Sequence, residues 1–147
     1  MKIILHFGMP KAGSNALQQL FHARRDLLLS QGILYPESCV GNPDRHHHLT
    51  IPAFEGKRLP TTFRKHSPNE AQKEFIQFWD HVKDQVSQAK PDLVILSTEA
   101  LFRRLSPAGA HRLYNKLTQL TDDITTVAFI RQFPTYYISL VQQRILS

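Results

Sequence analysis

One cysteine in 147 residues, Cys39, excludes an intramolecular disulfide and with it the stapled scaffolds of small secreted domains. That lone thiol fits a reducing compartment, so a cytoplasmic location is the expectation. No apolar run approaches the ~18 residues that a bilayer-spanning helix needs. The N-terminal run Ile3-Ile4-Leu5 meets Gly8 and Pro10 before the hydrophobic core of a secretory signal is complete. Low-complexity tracts, collagen periods and heptad arrays are missing too. What is left is 41% hydrophobic and 20% charged residues, ordinary for a globular chain and read as a single domain over 1–147. Eighteen Lys and Arg against 12 Asp and Glu give a net charge of +6, which favours anionic partners: phosphates, sulfates, nucleic acid or an acidic lipid surface. The basic-aromatic interleaving of a nucleic-acid module is absent, so nucleic acid is not among the expected partners.

Strand-like and helix-like segments alternate along the chain. Ile3–Phe7 is a short apolar run closed by Gly8 and Pro10. From Ser14 the spacing turns helical, with Leu17, Leu20, Phe21, Leu27 and Leu28 on one stripe, and Gly32 ends it. Five prolines between Pro36 and Pro68 mark a long loop with at most short helical pieces, and a loop of that length inside a domain is often functional. Pro68 or Asn69 opens a second helix, which places Phe75, Phe78, Trp79, Val82 and Val86 on an apolar face and Lys73, Glu74, Asp80 and Lys83 elsewhere. Leu93–Leu96 reads as a strand covered on both faces. Ser106-Pro107 supplies an N-cap and a first-turn proline for a third helix. Thr125–Ile130 is the third strand, and Pro134 starts a last helix. Such alternation predicts a three-layer α/β/α fold on a parallel sheet, with ligands at the carboxyl ends of the strands, after Phe7, Leu96 and Ile130. Three strands make a thin sheet, so the chain reads as the N-terminal part of a larger fold.

The segment Gly8-Met9-Pro10-Lys11-Ala12-Gly13-Ser14-Asn15 joins the first strand to the first helix, where a phosphate-binding loop belongs. Glycines let the backbone approach an anion, and the helix N-terminus points free N–H groups at it. The Gly8–Gly13 spacing matches a Walker A loop, but Lys11 precedes the second glycine by two positions, which weakens an ATPase or GTPase reading.

The run from His6 to Gln18 resembles the 5′-phosphosulfate loop of sulfotransferases that use 3′-phosphoadenosine 5′-phosphosulfate (PAPS), typically Pro-Lys-x-Gly-Thr/Ser-Thr/Ser. The likeness is to the bacterial type, whose fold is P-loop NTPase-like. It implies that Pro10, Lys11, Ala12, Gly13, Ser14 and Asn15 form the loop, and that Lys11 steadies the leaving phosphate. Asn15 departs from the pattern, with an amide donor where a second hydroxyl is usual. The family holds the 3′-phosphate with an arginine ending a strand and a serine eight positions later, and Arg131 and Ser139 have that spacing. Arginine suits the role because its planar donors grip phosphate in two places. The family's later basic-glycine element has no counterpart here.

Sulfuryl transfer needs a base for the acceptor hydroxyl. Glu99, just past the middle strand, is the first choice, in keeping with the glutamate base of some relatives. The second choice is His47, within His46-His47-His48, since similar bacterial enzymes carry a histidine pair in this loop. Adjacent histidines seldom converge on one ion and no acidic or Cys partner is spaced to complete a site, so no metal is expected. The expected activity is transfer from PAPS to an acceptor hydroxyl, a carbohydrate being one candidate, with adenosine 3′,5′-bisphosphate as product. A truncated or non-catalytic nucleotide-binding remnant and a P-loop kinase-like enzyme are the alternatives. An exposed strand edge leaves homo-oligomerisation open.

Overall fold

The computed structural model describes all residues except Pro10, 55–62, 64, 65, 103, 104 and 147, together with the side chains of Leu140 and 142–146. Four strands, β1 (Lys2–Gly8), β2 (Ile33–Leu34), β3 (Leu93–Ser97) and β4 (Ile124–Phe129), form one all-parallel sheet in the order β2-β3-β1-β4. The helices are α1 (Ser14–Ala23), α2 (Arg25–Ser30), α3 (Thr50–Ala53), α4 (Pro68–Ala89), α5 (Pro107–Leu117) and α6 (Phe133–Leu146). The α/β class and the parallel sheet follow the expectation. Two details differ. The stretch Ile33–Leu34 adds a two-residue edge strand, too short to show any period. The first helix is broken at Arg24, whose φ of −113° leaves helical geometry.

Local chemistry explains the long helices. Ser67 caps α4 reciprocally: its backbone N–H donates to Glu70 Oε2 at 2.7 Å, and its hydroxyl accepts from the Glu70 N–H at 3.3 Å. Lys90, in left-handed conformation at φ 47°, ends the helix before Pro91. Ser106 caps α5 through the Gly109 N–H at 3.0 Å.

The register sorts the sheet's faces. Ile3 pairs with Val94 and Leu5 with Leu96; these four pack with Phe75, Phe78, Trp79 and Val82 of α4 and Leu113 and Leu117 of α5. On the opposite face His6 pairs with Ser97, and Gln18 of α1 reaches Ser97 Oγ at 3.1 Å. Helices therefore cover both faces. Each fully buried large apolar side chain in this core contributes roughly 1.5–3 kcal/mol. Strand β4 forms one edge, with Phe129 and, just beyond it, Ile130 exposed.

Chain direction sets where a ligand belongs. From β1 the chain passes to β2, on one side, while from β3 it passes to β4, on the other. The carboxyl ends of β1 and β3 thus flank a crevice at a topological switch point.

Candidate functional site

The loop after β1 is pinned at its start, where the Met9 N–H donates to Phe129 O at 2.8 Å, and closed by a bond from the Ala12 N–H to Met9 O at 3.1 Å. Lys11 adopts φ 65° and Gly13 φ 91°. A left-handed lysine costs roughly 1–2 kcal/mol, a strain typical of ligand-holding loops. Gly13 is the N-cap of α1, and no side chain caps that helix start. Among the described residues a Cβ at Gly13 would meet nothing within 4 Å, so the space beside its Cα is open. Gly8 is different: a Cβ there would come within 2.7 Å of Ser14 Oγ. The Ser14 side chain is buried, and its hydroxyl has no hydrogen-bond partner among the described residues. Lys11 and Asn15 are exposed and Ala12 half-buried, while Pro10 lies outside the described residues.

Arg131, two residues beyond the end of β4, reaches the same loop. Its Nη1 donates to the Lys11 carbonyl at 2.8 Å and its Nε to Thr135 Oγ1 at 3.2 Å. The two motif halves, 120 residues apart in sequence, are therefore in direct contact. Ser139 lies about two turns along α6 and is half-buried, and Arg131 bonds Thr135 of that helix instead.

The end of β3 gathers the candidate bases. Thr98 is fully buried, accepts from the Ala100 N–H at 3.4 Å and meets His47 Nδ1 at 3.0 Å. Glu99 follows, with Arg45 Nη1 3.9 Å from its carboxylate. Glu99 and His47 thus share one strand end. Burial foremost, helped by the Arg45 charge, lowers His47 to about 4, which keeps its imidazole neutral at pH 7.

The three adjacent histidines diverge. His46 Nδ1 accepts from the Ser97 N–H at 2.8 Å, which leaves its proton on Nε2, 2.8 Å from Pro36 O. His46 is a structural clamp joining the long loop to β3, and burial pulls it down to about 4. His48 turns to α4, where its Nε2 is 3.5 Å from Glu74 Oε2; His66 Nε2 meets Glu74 Oε1 at 3.0 Å. Among the described residues, no three His, Cys, Asp or Glu side chains are arranged to hold a metal ion.

Sequence reasoning passed over a buried polar group under the crevice. His6 Nδ1 lies 2.8 Å from Ser97 Oγ, which accepts from Gln18 Nε2, and among the described residues His6 Nε2 and Gln18 Oε1 have no partner. Burial lowers the pKa of His6. Two signals were available: a histidine inside the apolar strand run, and Ser14 and Gln18 four apart on α1, hence on one face.

The sheet and this crevice define an α/β chain with a loop and an α1 start without a side-chain cap at its switch point. No family model matches the chain, and no curated protein or solved structure matches it either.

Proposed function

We propose that the chain is a sulfotransferase of P-loop-like α/β/α type that moves a sulfuryl group from PAPS to an acceptor hydroxyl, a carbohydrate being one candidate acceptor. The observation that carries the reading is the bond from Arg131 to the Lys11 carbonyl, which brings together the loop and the arginine that this reading assigns to the nucleotide's phosphates. The uncapped start of α1 and the unpartnered Ser14 hydroxyl add donors at the same place.

In this reading Lys11, Ala12, Gly13, Ser14 and Asn15, with Pro10, cradle the 5′-phosphosulfate, while Arg131 and Ser139 orient the 3′-phosphate. The acceptor oxygen attacks sulfur in line as the bond from sulfur to the phosphate oxygen breaks. The acceptor proton passes to the Glu99 carboxylate, and the leaving phosphate's charge is neutralised by Lys11. His47, held neutral, borders the acceptor side. Positioning and preorganised charge account for the catalysis.

The test is transfer of labelled sulfuryl from PAPS to a panel of glycosides, with Glu99→Gln beside wild type. The expected result is turnover by wild type and a loss of about 10²–10⁴-fold in kcat for the variant, with bisphosphate binding unchanged. Transfer from ATP instead of PAPS would favour a kinase-like enzyme. Nucleotide binding without turnover on any acceptor would favour a non-catalytic remnant.

A further inference from the structure

Between α3, α4 and α5, in the helical layer that covers the Ile3 and Leu5 face of the sheet, lies a groove of about 410 Å³. None of the residues lining it belongs to the loop after β1 or to the end of β3. At ~30 Å³ per water it has room for about 14 waters, the scale of a two-ring molecule. Ile51, Pro52, Phe54 and Phe75 give it apolar surface, and Gln72, Arg112, Asn115 and Lys116 give it polar surface. The charge is of one sign: two cations and two amides line the groove, with no carboxylate.

Lys116 is the polar group that reaches this space. Its Nζ lies 5.9 Å from the centre of the Phe75 ring, which itself lines the groove. Among the described residues no carboxylate pairs with that ammonium, and it is not one of the polar atoms sealed from solvent. Arg112 donates through Nε to Pro52 O at 2.8 Å, which ties α5 to α3 and fixes a second positive charge in the wall. Gln72 and Asn115 are exposed, and their amide N–H groups add donors. A ligand that answers both halves carries one anionic group and a flat apolar body. An inorganic anion would meet the charge but leave Ile51, Pro52 and Phe54 facing water, and a neutral ring would leave Lys116 unpaired.

We propose that this groove binds an aromatic carboxylate or sulfonate, with its anionic group on Lys116 and its ring against Ile51 and Phe54. The site stands on the groove alone and is independent of the sulfuryl-transfer reading.

The experiment follows backbone amide NMR shifts of the full chain during titration with 2-naphthoate, its neutral analogue 2-naphthamide, and inorganic phosphate. Two variants accompany it: Lys116→Gln, which removes the charge, and Gln72→Trp, which fills the groove from its rim. Urea midpoints matching wild type show that both fold, and the comparison of naphthoate with naphthamide needs neither variant. The expected result is saturable shifts from 2-naphthoate centred on α3 and α5. Affinity should be about tenfold weaker for naphthamide, for phosphate and in Lys116→Gln, and binding should be lost in Gln72→Trp. No shifts in α3 and α5, naphthamide or phosphate binding as tightly as naphthoate, or naphthoate binding that neither substitution alters would each overturn the proposal.

Discussion

Acid should loosen this fold through His46, and the size of the effect follows from its surroundings. The imidazole is fully buried between Tyr35 and Phe78, with ring centroids 4.7 and 5.9 Å away. Its Nδ1 lone pair is occupied by the Ser97 N–H and its Nε2 proton by Pro36 O. Protonating Nδ1 would set two N–H groups against each other and place an uncompensated charge in the core. The folded-state value accordingly falls from 6.5 to about 4. Because the unfolded chain binds the proton more readily, stability is fully present above pH 6.5 and is lost as pH falls toward 4. Between pH 7 and pH 5 that linkage removes about 2 kcal/mol for His46 alone, a large fraction of the roughly 5–15 kcal/mol that holds a domain together. His47, lowered in the same direction, adds to the slope. Urea midpoints at pH 7 and pH 5, for wild type and His46→Gln, isolate the contribution. The variant should start less stable at pH 7 but lose about 2 kcal/mol less on acidification. An equal loss in both proteins would refute the reasoning.

Two further outcomes follow from close contacts and from donor geometry. A Cβ at Gly109 would overlap the Ala53 carbonyl oxygen, so Gly109→Ala should lower the urea midpoint by about 1–3 kcal/mol of stability, despite alanine's better helix propensity. Arg131→Lys removes the fork that reaches the Lys11 carbonyl. It should weaken adenosine 3′,5′-bisphosphate about 10-fold or more while leaving adenosine 5′-monophosphate, which lacks the 3′-phosphate, nearly unchanged in calorimetric titration.

Much of the scaffold was legible because its signals are local. Apolar runs bounded by Gly and Pro marked β1 and β3, and Ser106-Pro107 marked the start of α5 within the chain itself. Strand β2 was not legible, since two residues cannot display a period. The break at Arg24 escaped notice because apolar spacing continues through Leu27 and Leu28 in spite of it. The loop after β1 could be read from glycine and lysine placement, whereas the contact of Arg131 with the Lys11 carbonyl spans 120 residues and no local signal announces it. The histidine cluster could not be read this way. His46, His47 and His48 find their partners at Ser97, Thr98 and Glu74, and in sequence Glu74 only fell off the apolar face of its helix. Partners so remote in sequence meet only once the sheet and α4 are in place.

If the loop after β1 is a phosphosulfate cradle, calorimetric titration with adenosine 3′,5′-bisphosphate, ADP and ATP will register it. Lys11→Ala is the paired variant: Lys11 is exposed, so its truncation should change stability by no more than about 0.5 kcal/mol. The bisphosphate should bind in preference to ADP and ATP, and should lose at least tenfold in affinity in the variant. Tighter binding of ATP, or bisphosphate binding that ignores the loss of Lys11, would contradict it.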